Sequence, residues 1–352
     1  MSLASLRSAL DGPNARGTSD RFWTGFGLAT LALALYPLVA STYAVANASL
    51  FLLYGILALS LCVIWGYCGI LSFGQVAFFG VGGYVFGIVG INLSTTIGAT
   101  LGLLAGVGVA TLFAFVLGYF MFYGGVRDVY VTIMTLVVAL VIHTFMGQTA
   151  GSEWAIGEAA LGGFDGMTGI PDLAIEGVVL VETAFYYAVL LALFCTYLGL
   201  RALVNSDFGR AMVAVREDEE RTELLGYDTK RIKLLVFTLG GALAGLSGVL
   251  YASWGNYMNP AVFGIVFAAL PVVWVSVGGR DSLLGAIGAT YAVQWLSQQL
   301  SITGSEYALV VVGALLLVTI LWLPEGVAPA IADWLADDRG QPTARGHEEV
   351  AD

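Results

Sequence analysis

Charge is what this sequence has least of. Only 11% of its 352 residues are Asp, Glu, Lys or Arg, while 58% are hydrophobic and the mean hydropathy is +0.86. A soluble domain carries about 25% charged residues. A polar surface cannot be assembled from this composition, which excludes a soluble enzyme and implies an integral membrane protein. Lysine is nearly missing: Lys230 and Lys233 stand beside twelve arginines, and the net charge is −11. That balance excludes nucleic acid as a partner, because binding it needs many cations along a phosphate track. The three cysteines, Cys62, Cys68 and Cys195, lie in or beside apolar runs without CxxC spacing and read as buried small hydrophobes. Histidine occurs only as His143 and His347. No HExxH, GxSxG or GxxxxGK[ST] stretch is present, so metalloprotease chemistry, a serine nucleophile elbow and a nucleotide cradle are all excluded, and no cofactor is expected. Apolar runs nearly free of ionisable residues leave no carboxylate relay for protons.

Long apolar runs are what remains. A spanning helix needs about 20 mostly apolar residues, and ten runs qualify: 22–40, 45–65, 69–91, 97–122, 129–147, 183–203, 232–254, 261–277, 283–300 and 307–323. The eighth and ninth are short, which suggests tilt or a break. The expected fold is an all-α polytopic membrane protein with about ten transmembrane helices, some broken, and one cytoplasmic amphipathic helix. Residues 1–21 form a cytoplasmic N-terminal segment leading into an uncleaved first span, 22–324 the membrane domain, and 325–352 an acidic cytoplasmic tail. Ten crossings from a cytoplasmic N-terminus put all fourteen Lys and Arg residues on one side. The loop 148–182 then faces out; it has no basic residue and carries Glu153, Glu158, Asp165, Asp172, Glu176 and Glu182. The multi-pass chain thus lies in the cell membrane with both termini in the cytoplasm.

Glycine is plentiful at 46 residues. The pairs Gly83/Gly87, Gly102/Gly106 and Gly241/Gly245 have the small-xxx-small spacing that lets helix backbones approach in lipid. Glycines near 66–74, 80–83 and 278–279 sit at span ends, where broken helices line a path.

The stretch 206–233 is the one long run that is charged and helical in pattern. Met212, Val215, Glu219 and Thr222 share a face, the other charges form a rim, and Gly226 is placed to end the helix. Within the cytoplasmic loop 204–231, this is a helix available to a partner or a solvated surface helix; pattern alone leaves both open.

Four stretches, in order, resemble one family. Trp65–Gln75 through Tyr84 is similar to a Gly-rich early segment, with Gln75 where a histidine is common. Gly162–Pro171 resembles an external loop. Ala214–Glu219, Leu225–Tyr227, Lys233–Phe237 and Ala244–Tyr251 resemble a cytoplasmic loop with the helix after it. Val275–Gly285 resembles a late cytoplasmic turn, and Leu323–Gly326 the family's end. Together they look like the hydrophobic amino acid and amide group of ABC importer permeases, which takes in the branched-chain amino acid and the urea and short-chain amide types; Trp274 before the late turn leans toward the amide branch. ABC importers carry Glu-Ala-Ala, three residues, then Gly in this loop. Here Glu220-Arg221-Thr222 precedes Leu225-Gly226, so both alanines are replaced.

The resemblance implies a transport subunit and not an enzyme. ATP is used by separate ATPase subunits that dock on Arg216, Glu217, Asp218, Glu219, Glu220, Leu225 and Gly226. A second homologous permease completes the path, an extracytoplasmic solute-binding protein feeds it, and lipid surrounds it. A neutral polar solute needs partners without fixed charge, and the candidates are Ser72, Gln75, Asn256, Asn259, Gln294 and Gln298, with Phe79, Tyr84 and Trp274 as apolar walls. The rival readings are a passive channel and a secondary carrier for a small neutral solute, which need no motor.

Overall fold

The computed structural model describes residues 10–12, 14, 19–127, 129–175, 177–302 and 313–314. The expected tenth span, 307–323, and the tail 325–352 lie outside the described residues, apart from 313–314.

The described chain is mostly helical. α1 spans Asp20–Leu35 and continues into a 3-10 turn at Tyr36–Leu38. α2 covers Thr42–Leu61 and widens into a π-turn at Cys62–Gly66. α3 is Gln75–Leu93, α4 Thr96–Tyr123, α5 Val129–Gly147 and α6 Glu182–Asn205. Two short helices follow, α7 at Asp207–Glu217 and α8 at Glu219–Leu224. α9 is Thr229–Gly255, α10 Ile265–Gly278 and α11 Leu283–Ile302.

Among the described residues six helices, α2 with its π-turn, α3, α4, α5, α6 and α9, are long and apolar enough to cross a membrane, and α10 with α11 forms a pair bent by 120° that counts at most as a seventh. The expectation of about ten spans is therefore not met among the described residues. The shortfall has identifiable causes. α1 has 16 helical residues, although it lies along α6, from Trp23 beside Arg201 to Leu33, whose carbonyl accepts from Tyr186 Oη at 2.8 Å. α10 is short because the chain ahead of it folds back into the bundle: the 3-10 turn Pro260–Phe263 stacks Phe263 on Tyr84, about two and a half turns into α3.

α2 is the axis of the bundle, with 89% of its central window buried, whereas α4 and α5 are 28% and 22% buried and turn apolar faces outward. Of the expected small-residue pairs, Gly102/Gly106 and Gly241/Gly245 lie in helix seams, whereas Gly87 of the pair Gly83/Gly87 meets Met167 and Ile170 of the loop after α5. A Cβ on Gly82 would lie 2.6 Å from Gly245 O, one on Gly106 2.6 Å from Gly82 O, and one on Gly245 2.4 Å from Ala110 Cβ. These glycines bring α3, α4 and α9 to backbone contact, which supplies dispersion where lipid offers no hydrophobic drive.

The loop after α5 is built from two-residue strands. β1 (Ala155–Ile156) pairs with β2 (Ala159–Ala160), and β4 (Ala174–Ile175) with β5 (Val178–Val179). β3 (Met167–Thr168) pairs with β6 (Tyr257–Met258), which ties the loop to the far end of α9.

Candidate coupling site and membrane core

The charged stretch folds as two helices. Ser206 makes the corner after α6: its Oγ accepts from Gly209 N at 3.3 Å and donates to Leu203 O at 2.6 Å. The expected single helix is interrupted at Asp218, which is extended (φ −159, ψ 101) and N-caps α8 through Oδ1 accepting from Arg221 N at 2.9 Å. A carboxylate beside three free N–H groups competes with continuation of the helix, which accounts for the break. The shared face survives the break: Met212, Val215 and Thr222 are buried and the Glu219 side chain is 20% exposed. α8 ends in a Schellman turn. Gly226 has φ +90, its N–H donates to Glu223 O at 2.9 Å, and Tyr227 N–H to Thr222 O at 3.3 Å. The glycine is placed where the sequence put the helix end.

Three of the four family-like stretches meet beneath these helices. Arg216 Nη1 donates to Gly66 O at 2.5 Å. Gly66 lies so near the late turn that a Cβ there would fall 1.7 Å from Arg280 O. Cys62 Sγ donates to the same carbonyl at 3.2 Å, and Tyr67 Oη to Asp281 O at 3.0 Å. Lys233, buried at the start of α9, pairs with Glu219, and Thr229 Oγ1 donates to Glu223 Oε1 at 2.7 Å. Arg127, in the turn between α4 and α5, reaches Glu220 at 3.9 Å. A cleft of about 390 Å³ opens between the helix pair, the loop after α2 and α5, lined by Cys68, Gly69, Thr132, Arg216, Glu219 and Lys233 among others. Burial pushes the Cys68 thiol up to about 12, Lys233 pulling it down and Glu219 adding to the rise. Glu217, Asp218 and Glu220 are exposed, and so are Leu224 (88%), Leu225 (72%) and Tyr227 (53%), an apolar tip inside a charged rim.

The candidate path residues divide among three places. Phe79 and Trp274 belong to one buried aromatic core, and Gln75 is buried at the start of α3. Phe79 packs on Tyr251 and Phe267 with ring centroids 5.3 Å apart in each case, Tyr54 lies 5.3 Å from Trp274, and Gln75 Oε1 accepts from Ser60 Oγ at 3.1 Å. Ser72, also buried, holds the turn into α3 by accepting from Gly74 N at 3.1 Å. Asn256 and Asn259 stand at the opposite end. Asn256 closes α9 with φ +50, and its Nδ2 donates to Ile170 O and Asp172 Oδ1, both at 2.9 Å; Asn259 begins the 3-10 turn. Gln294 is half-buried on α11, apart from both groups, and Gln298 Nε2 donates to Tyr43 Oη at 3.3 Å. Tyr84 is buried against Phe263. Sequence reasoning missed Tyr54, Tyr251 and Phe267, whose aromatic periodicity looks like ordinary core. It also missed the Lys233–Glu219 pair, for which the only signal was a lysine at the mouth of an apolar run.

A helical bundle with membrane-length helices and a charged, apolar-tipped helix pair seated on its turns has the parts of a membrane protein that a partner can grip, and the family match makes it a transport permease. The chain belongs to the branched-chain amino acid transport system / permease component family, whose model matches residues 43–320. It is similar to the high-affinity branched-chain amino acid transport system permease protein LivM of Escherichia coli (strain K12), 27% identical over 333 residues, covering 86% of this chain and 74% of that one. The probable LivM of Methanocaldococcus jannaschii is 27% identical over 324 residues, 79% and 90% of the two chains. The LivH permease of Escherichia coli (strain K12) is 33% identical over 139 residues, 38% and 44%. No solved structure matches. The chain is an ABC importer permease and not an enzyme.

Proposed function

We propose that this permease carries branched-chain amino acids inward across the cell membrane, with α7–α8 as the element on which separate ATPase subunits push. The convergence of Arg216, Gly66 and Arg280 supports it most directly. A displacement of α7 must act on the end of α2 and on the turn between α10 and α11, because Arg216 holds one and Gly66 abuts the other. The exposed Leu224, Leu225 and Tyr227 within a rim of carboxylates have the composition of a docking tip. ATP is bound and split on the partner subunits; a second homologous permease and an extracytoplasmic binding protein complete the machine. The relatives' names favour branched-chain amino acids over the urea and short-amide alternative. Trp274, whose position leans the other way, is buried against Tyr54, and packing there constrains it whatever the solute.

The orientation proposed places α7–α8, Arg127 and Arg280 in the cytoplasm and 148–182 outside, following the segregation of basic residues. For the path, Gln75, Phe79 and Trp274 are the proposed inner group and Asn256 and Asn259 the outer, with Ser72 and Gln294 flanking.

The test is Gly226→Asp and, separately, charge reversal across Glu217–Glu220, in the complete transporter. Both should leave the permease inserted while uptake falls by about ten-fold or more relative to ATP hydrolysed, the scale of a 1.4 kcal/mol coupling loss. Unchanged uptake would remove the docking assignment. Thermal shift of the cognate binding protein with leucine, valine, urea and acetamide decides the solute: stabilisation by urea or acetamide alone would overturn the amino acid reading.

A further inference from the structure

Arg201 is the most deeply buried basic residue of the membrane-length helices, among the described residues: its side chain is 2% exposed against 10% for Lys233, and it lies four residues before α6 ends. An unpaired guanidinium there would be costly, and its surroundings answer each part of it. Nε donates to Leu10 O at 2.9 Å, Nη1 to Tyr197 Oη at 3.0 Å, and Nη2 to Asp11 Oδ1 at 3.2 Å. The rings of Phe22 and Trp23, in the first turn of α1, lie 4.6 and 4.8 Å from the guanidinium carbon. Asp11 also accepts from Trp23 Nε1 at 3.1 Å. The same N-terminal stretch is stitched to the end of α6 by Asn205 Nδ2 donating to Leu10 O and Asn14 Nδ2 to Val204 O, each at 2.9 Å.

Two further features give this clamp a mechanical setting. α6 passes into α7 through Ser206 alone, and Gly209 is packed so tightly that a Cβ there would lie 2.2 Å from Val204 O. The corner is stiff, so the orientation of α7 is set by the end of α6. α1, by contrast, has no fully buried residue, and its contacts run along α6: Phe26 on Tyr197 at 5.1 Å and on Phe194 at 5.8 Å, and Leu33 O accepting from Tyr186.

We propose that Arg201 is a positioning residue for energy coupling. The strap of residues 10–12 and 14 and the first turn of α1, closed around its guanidinium, form the fixed point that ties α1 to the end of α6, so α1, α6 and the stiffly joined α7 move as one body when the motor pushes. The proposal rests on the reading of α7–α8 as the coupling element. A planar fork bonded in three directions beside two aromatic rings cannot be replaced by a point charge, which makes Arg201→Lys the informative change. Loosening the clamp lets α6 and α7 tilt together without carrying α1, so ATP is spent without transport.

The experiment uses the complete transporter in proteoliposomes, with Cys195→Ala as background. Uptake and ATP hydrolysis are measured together. Arg201→Lys is expected to lower solute moved per ATP by about five-fold or more while ATPase subunits remain bound. A residue that only stabilises the fold would lower both rates in proportion to the amount of intact complex and leave the ratio alone; that result overturns the proposal. A second arm removes dependence on folding yield. A Cβ on Gly12 would lie 2.9 Å from Asn205 Cβ, inside the shortest disulfide spacing of about 3.5 Å, so after a small outward shift of the strap Gly12→Cys with Asn205→Cys can close it covalently. Oxidation should restore the ratio in Arg201→Lys and reductant should abolish the recovery; no recovery, with the cross-link shown to form, counts against the fixed-point role. Gly226→Asp is run in parallel. If it uncouples and Arg201→Lys does not, the clamp alone is wrong; if neither uncouples, or no ATPase binds, the coupling reading itself fails.

Discussion

Cys68 shows how a single side chain reports on the coupling site. It lies beyond the π-turn of α2, buried beside Lys233 and Glu219 and lining the cleft under α7–α8. Burial holds its thiol up at about 12. Only the thiolate attacks maleimide or iodoacetamide, and at pH 8 the group is four units below its midpoint, so about one in ten thousand side chains is reactive. The expected outcome is negligible alkylation of Cys68 at pH 8 in the resting protein, followed by mass spectrometry of the peptide, with the rate rising about ten-fold per pH unit up to that midpoint. Fast labelling at neutral pH would mean that the cleft is wet and the Glu219–Lys233 contact open. The expectation of buried cysteines holds for Cys62 and Cys68 but not for Cys195, which is exposed on α6, because an apolar flank marks a membrane-length helix without saying which face turns outward. The sequence could not show that the neighbours of Cys68 are an ion pair, since Glu219 and Lys233 are brought together by a turn at Gly226 whose direction no periodicity encodes.

At the level of elements, α7 and α8 are distinct because of Asp218. Its carboxylate caps α8, a helix of six residues too short to persist on local hydrogen bonds alone. Asp218→Ala removes that acceptor at a cost of about 1 kcal/mol, and Asp218→Asn keeps an oxygen in place. Hydrogen exchange of the amides 221–224 should quicken about five-fold in the alanine variant and change little in the asparagine one. Equal exchange in both would show that α8 is held by Thr222 and Glu219 packing inward and not by its cap. Much of this element was legible beforehand: the inward face of Met212, Val215, Glu219 and Thr222, the exposed rim and the end at Gly226 all follow from spacing. The break at Asp218 was not, because an aspartate inside an amphipathic run reads equally as a solvated rim charge or an N-cap. The spans divide in the same way. Hydropathy found α2 to α6 and α9 to within about six residues and marked the runs of α10 and α11 as short enough for tilt or a break, but it cannot see why: the chain 256–264 tucks back against Tyr84 and shortens the helix behind it.

Charge segregation across the whole molecule can be argued without knowing the total number of crossings. Arg127 and Glu220 touch at 3.9 Å, and two spanning helices, α5 and α6, lie between them in the chain, so parity and contact agree that they share a side. Gly66 and Arg280 also touch, and between them stand α3, α4, α5, α6 and α9; five crossings return the chain to the wrong side, and the contact therefore requires α10 to run from the Asn259 end to the Arg280 end. One membrane-length helix, α6, separates the loop at Glu158 from the tip at Leu224. That loop is acidic, and the end holding Leu224 collects Arg127, Arg216, Lys233 and Arg280, so the orientation proposed above from the positive-inside tendency predicts Leu224 in the cytoplasm and Glu158 outside. Single cysteines at these two exposed positions, in a Cys195→Ala background, test the assignment in intact cells with a membrane-impermeant maleimide. Glu158→Cys should label from outside, and Leu224→Cys only after the membrane is opened, with Arg127→Cys behaving as Leu224→Cys does. Labelling of Leu224→Cys in sealed cells would invert the molecule and take the docking tip away from any cytoplasmic motor, whereas labelling of both Glu158→Cys and Leu224→Cys would mean that α6 does not cross at all.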